Sequence, residues 1–215
     1  MRKTMALAAA AGVAALASHA GAVEILSFGF TDLVGTYNHG AGMFSVVDGA
    51  DTSGDVTRIE APSSSAFYNV GFSGGTASAT FMVSVFNKVG NLAQGAGTFT
   101  IVDADGDELT GDITGTWIGG ALGIFFNGDL SNVSFNLLGN GMFDGPSGGS
   151  FDPNFSGTPP YSGAIVQLFI PPSGNFFNSD FTVETVQVLG EIVPAPSALA
   201  LLGVAGLVSA RRRRN

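Results

Sequence analysis

The sequence predicts an all-β fold, an antiparallel β-sandwich or barrel of about 8–11 strands, flanked by a signal-peptide helix and a C-terminal apolar helix. Three observations carry this. Apolar residues recur with a period of two through the middle of the chain, as in strands with one wet face. Short runs of this kind are separated by Gly, Asn, Asp and Ser, and 32 of the 215 residues are glycine. Both ends of the chain hold an uncharged apolar stretch next to basic residues.

Taken in order, Arg2 and Lys3 precede an apolar run over residues 5–17 that closes on Ala20-Gly21-Ala22. A basic start, a short apolar run and an A-x-A site make a secretory signal peptide cleaved after Ala22, with Ala20 and Ala22 as the small residues at the cut. The exported domain then covers residues 23–192. The clearest strand lies in residues 76–86, where Ala77, Ala79, Phe81 and Val83 alternate with Ser78, Thr80, Met82 and Ser84. Residues 97–102 and 109–117 repeat the pattern. Further strands are predicted at residues 25–30, 43–47, 66–72, 122–127, 130–137, 164–170 and 181–188, with Gly128-Asp129 as a tight turn between two of them. Sandwich and barrel stay equally open, because closure depends on edge pairing between distant segments. Residues 139–162 hold six glycines and four prolines and read as a long loop.

Only Arg58 and Lys88 stand against 17 acidic residues in the domain, a formal charge of −15 where the whole chain carries −9. Such a surface repels phosphate, which excludes nucleic acid as a partner. Cysteine is absent, so there is no disulfide framework, thiolate nucleophile or Cys-ligated metal. Stability must come from the core, to which 18 phenylalanines, Trp117 and three tyrosines contribute.

For site chemistry the best candidate is the segment Asp103-Ala104-Asp105-Gly106-Asp107-Glu108. Asp103, Asp105 and Asp107, at alternate positions, could converge on calcium, which takes six to eight oxygen ligands. An EF-hand loop counted from Asp103 would need glycine and glutamate where Glu108 and Thr114 stand, and Asp-Gly is also a strong hairpin signal, so a simple turn is the competing reading. No other cofactor is expected. His39 is the domain's only histidine. A Ser-His-Asp triad would need a serine positioned on a nucleophile elbow, and Tyr37-Asn38-His39-Gly40 reads as a turn. The expectation is a protein that is not an enzyme.

The C-terminal segment, residues 193–215, joins three parts. Val193, Pro194, Ala195 and Pro196 form a Pro-x-Pro turn, residues 197–210 are apolar and uncharged, and Arg211, Arg212, Arg213 and Arg214 follow. As a helix the apolar part would span ~21 Å, short of the ~30 Å hydrocarbon core. The arginines would hold the far end in the cytoplasm and leave the domain outside. A plain tail anchor is one reading. The order of parts resembles the PEP-CTERM sorting signal of bacterial envelope and biofilm proteins, with Ala195 where that family has glutamate. The resemblance covers only residue 193 onward. It implies an exosortase-type transpeptidase as partner, passage through the inner membrane by the C-terminal helix before processing, and residence at the cell envelope or in exopolysaccharide. The signal has also been catalogued as an ice-binding protein C-terminal region, a label that describes the tail and not the domain. The leading expectation is therefore an exported structural or matrix protein. The alternatives are a surface binding module for calcium, polysaccharide or ice and, last, an extracellular hydrolase.

Overall fold

A computed structural model describes residues 23–171 and 176–195. Both flanking helices of the sequence reading fall outside these residues. The described chain is all-β, with thirteen strands: β1 (Leu26–Asn38), β2 (Met43–Val47), β3 (Ser53–Arg58), β4 (Ser64–Tyr68), β5 (Ser78–Ser84), β6 (Phe86–Val89), β7 (Leu92–Val102), β8 (Glu108–Gly120), β9 (Gly123–Asn136), β10 (Phe143–Asp144), β11 (Ser150–Phe151), β12 (Tyr161–Ile170) and β13 (Phe181–Val193).

Eight of them close an antiparallel barrel in the order β1, β2, β5, β7, β8, β9, β12, β13. The closing step is β13 on β1, from Leu26 opposite Ile192 to Tyr37 opposite Phe181. This settles barrel against sandwich. Strand β1 serves two partners along one edge, β2 over its second half and β3 over its first. Strands β3 and β4 therefore splay from the barrel as a flap, and with β6 the sheet reaches eleven strands.

The period of two is read out directly. Phe28, Phe30, Phe44, Phe81, Phe99, Trp117 and Phe126 point inward and are fully buried. Phe28 stacks on Phe99 with ring centres 5.3 Å apart, and Trp117 lies 4.6 Å from Phe126. Phe177, on the connection from β12 to β13, plugs one mouth, 4.7 Å from Tyr37 and 5.0 Å from Trp117. The barrel is thus packed, each fully buried phenylalanine contributing roughly 1.5–3 kcal/mol. The outward positions carry Thr98, Thr100, Thr110, Asp112, Thr114 and Thr116. An apolar interior with a polar exterior is the reverse of a membrane-spanning barrel.

One expected turn is corrected. Residues 122–127 and 130–137 are a single strand, β9, that runs straight through Gly128-Asp129. Gly95, Gly115 and Gly128 lie opposite one another on β7, β8 and β9. A Cβ on any of them would come within 2.5–2.8 Å of the Phe126 ring. The glycine marks the seat of a ring, not a reversal of the chain.

Both described termini leave the same end of the barrel, here the near end. The 103–107 turn and the long 137–160 connection lie there too, while the 39–42 and 120–123 connections and residues 176–180 lie at the far end.

Candidate functional site

At the near end the acidic turn after β7 closes as a hairpin, with the Asp103 N–H donating to the Asp107 carbonyl at 2.9 Å. Asp103 and Asp107 are both fully buried. Asp103 Oδ1 accepts the N–H groups of Asp105, Gly106 and Asp107 at 2.7–2.8 Å, and its Oδ2 accepts the Asp144 N–H at 2.8 Å. Asp107 accepts the N–H of Gly139 on one oxygen and that of Gly141 on the other. The two carboxylates thus hold six backbone donors and tie the turn to the long connection. Asp105 points outward, and its Oδ2 shares the Asn140 amide with Asp144 Oδ2, each at 2.7 Å.

For calcium this geometry matters. The inner carboxylates are already oriented by N–H groups, which an ion would have to displace. Among the described residues no three Asp, Glu, His or Cys side chains converge as a metal-ligand set. What the arrangement does chemically is fix two loops with buried, fully paired charge, the form in which buried carboxylates are tolerable. Nearby, the Tyr68 hydroxyl donates to the Val102 carbonyl at 3.0 Å. Burial, and secondarily the Asp103 charge, push the Tyr68 phenol well above its ordinary range.

The connection that reads as a loop carries its own small core. Strands β10 and β11 pair within it, and the 145–149 turn lays its backbone on β4, with the Phe67 N–H donating to Gly148 at 2.9 Å. Phe143 stacks on Phe151 at 5.3 Å and Phe135 on Phe155 at 5.8 Å. Arg58, nearly buried at 7% exposure, donates to the Asp152 carbonyl and lies 4.8 Å above the Phe155 ring. Its neighbour Glu60 accepts both the hydroxyl and the N–H of Ser156, and these bonds, the hydroxyl's first, hold the Glu60 carboxyl below its ordinary value. Arg58 and Glu60 were not singled out as site residues from sequence; the only signal was that Arg58 is one of two cations in the domain. Between this loop and β9 lies a cleft of about 300 Å³ lined by Phe135, Leu137, Asp152, Asn154, Phe155 and Tyr161.

Of the sorting-signal residues, Val193 ends β13 opposite Ser162. Pro194 and Ala195 follow, half-buried, with Pro194 against the loop at Gly157. Pro196, Arg211, Arg212, Arg213 and Arg214, like Ala20 and Ala22, lie outside the described residues.

His39 sits at the far end in the expected turn, where Asn38 Oδ1 accepts the Ala41 N–H at 2.9 Å. Asp180 bonds the His39 main-chain N–H at 2.6 Å. The G-x-S-x-G spacing occurs twice, at residues 71–75 and 145–149. Both are near-end turns, a barrel length from His39, and Ser147 Oγ is held by the Asn69 N–H at 2.8 Å. The structure does not bring histidine and serine together.

Comparison of the chain with protein-family models, with curated proteins and with solved structures returned no match.

Proposed function

We propose that this is an exported structural protein of the cell envelope or exopolysaccharide matrix, delivered by an exosortase-type system. One observation carries the reading: the Pro-x-Pro segment begins where a closed, packed barrel ends. Strand β13 is paired through Val193, and Pro194 follows at once. The domain is a filled solid whose two domain cations, Arg58 and Lys88, are spent on internal contacts. Its outer surface is left hydroxyl-rich and acidic, suited to a hydrated matrix. Because Leu26 and Ile192 are paired, the two described ends of the domain lie side by side. The far end would then face away from the membrane.

A specific observation also supports a binding module for a hydroxyl-rich polymer. Thr80, Thr100, Thr110 and Ser134 form one outward row across β5, β7, β8 and β9, and Met82, Thr98, Asp112 and Ser131 form the next. A barrel wall is convex, which fits a flexible polysaccharide better than a flat ice plane.

Intact mass of the protein recovered from fractionated native cells tests both. Loss of residues 1–22 and of the arginine tail, with extra mass at the new C-terminus, is the expected result. A processed chain without added mass in the exopolysaccharide favours the binder. Retained Arg211 to Arg214 overturns exosortase processing and leaves a tail anchor.

A further inference from the structure

We propose that the near-end cleft between the 152–161 segment and β9 is a binding site for a neutral sugar unit of a hydroxyl-rich polymer. This rests on the polymer-binding reading and gives that polymer a site apart from the threonine rows. Two observations carry it. First, the cleft joins an aromatic floor to a polar rim. Buried Phe155 stacks on half-buried Phe135 at 5.8 Å and meets the Tyr161 ring edge-on at 6.1 Å, and all three line the cleft. Residues 151–155 alternate as the strands do: Phe151, Pro153 and Phe155 are buried, while Asp152 and Asn154 stand exposed on the rim. Asp152 Oδ1 accepts the Asn154 N–H at 2.9 Å, which leaves Oδ2 and the Asn154 carboxamide without a partner among the described residues. Second, Tyr161 is only 5% exposed, yet its hydroxyl makes no hydrogen bond to any described residue. Every fully enclosed polar side-chain atom among the described residues has a partner, so this hydroxyl is not enclosed: it opens into the cleft that Tyr161 lines. Burial, and secondarily the Glu60 charge, raise the Tyr161 phenol, so it keeps its proton and can donate.

The chemistry of the cleft selects the occupant. An anion is repelled by a domain at −15, and Arg58, the near-end cation, is spent on the Asp152 carbonyl, the Glu60 carboxylate at 3.8 Å and the Phe155 ring. A cationic ligand is opposed by that same guanidinium, 4.8 Å above the Phe155 ring. On the rim it gains only an exposed carboxylate, which holds an ammonium weakly in water. The overall charge draws cations to any part of the surface and does not pick out this cleft. A wholly apolar ligand would bury the Tyr161 hydroxyl unpaired. A sugar ring satisfies both halves, with C–H faces for the aromatic rings and adjacent hydroxyls for Tyr161, Asp152 and Asn154. The volume of about 300 Å³ is at the small end of the ~300–1,000 Å³ that ligand sites span, and it admits a short stretch of polymer. Arg58 and Glu60 pin residues 152 and 156, so the cleft is set in advance and little ordering is lost on binding.

Native-gel electrophoresis of the full chain through the neutral polysaccharide of its own cells' matrix tests this. The native chain is expected to be retarded, and added salt leaves the retardation unchanged. Tyr161→Phe, which removes the unpaired hydroxyl and keeps the ring, and Asn154→Ala are each expected to raise the apparent Kd about five- to tenfold. Tyr161→Phe leaves the melting temperature unchanged, because the hydroxyl it removes holds nothing within the fold. A fall in melting temperature with unchanged retardation would assign the hydroxyl to the fold and overturns the proposal. Retardation kept by both cleft variants and lost on Thr100→Lys with Thr110→Lys leaves the polymer on the outer wall and overturns the cleft alone. No retardation of the native chain overturns the cleft and the polymer-binding reading together. Retardation by chitosan only, abolished by salt, overturns the assignment of a neutral sugar.

Discussion

Asp103 shows how much one side chain can settle. It is fully buried beneath four N–H donors from two segments, three in its own turn and one at Asp144. An alanine there orphans all four donors. Hydrogen bonds to a charged acceptor are each worth ~1.5–3 kcal/mol, and unpaired buried donors are costly. Asp103→Ala is therefore expected to lower unfolding free energy by at least ~3 kcal/mol in urea titration, while Asp105→Ala, at an exposed side chain that bonds only Asn140, costs under ~1 kcal/mol. Equal effects would mean the inner carboxylate is not the organiser. The acidic cluster was legible in the sequence, but its direction was not. Alternating acids look the same whether they turn toward solvent, an ion or the backbone; donors in the turn itself and in the loop packed above, 32–41 residues on, hold two of them inward.

Among the elements, the 137–160 connection departs furthest from its sequence appearance. Glycine and proline mark it as irregular, which it largely is. Yet Phe143, Phe151 and Phe155 make a small core under it, and Arg58 clamps it from β3. Strand β3 itself escaped notice because SGDVTR offers a single apolar residue, and its pairing rests on β1. The second half of β1 was hidden for another reason: Asp32, at φ +56°, interrupts the alternation between Phe30 and Leu33. The clamp has a pH dependence. Glu60 is held below its ordinary 4.5 chiefly by the Ser156 hydroxyl, so its contribution is complete above that value and disappears as pH falls through the lowered one. Protease nicking within residues 152–158 is expected to rise below about pH 4.5 in the native protein. Arg58→Ala is expected to raise it already at neutral pH, through loss of the Asp152 bond and of a cation–π contact worth ~0.5–2 kcal/mol. An acid-sensitive loop in Glu60→Gln identical to the native one would exclude Glu60 as the titrating group.

For the whole molecule, the period of two made the β class and the inward phenylalanines legible, but closure is a relation between β1 and β13, at opposite ends of the domain. No local pattern encodes it. Closure also fixes the electrostatics. A closed, packed domain carrying −15, with both domain cations spent internally, stores self-repulsion that unfolding relieves. Screening should therefore stabilise it, by about 2–4 °C in melting temperature for each kcal/mol of repulsion removed. The same experiment separates general screening from a specific ion. If sodium and calcium chlorides at equal ionic strength raise the melting temperature alike, the acidic turn binds backbone only. A further rise with calcium, reversed by chelator, would show carboxylates such as Asp105 and Asp144 gathering an ion, because a ligand that binds only the folded chain must stabilise it. The paired state of Asp103 and Asp107 argues for the first outcome, since their oxygens already hold six N–H groups that a cation would have to displace.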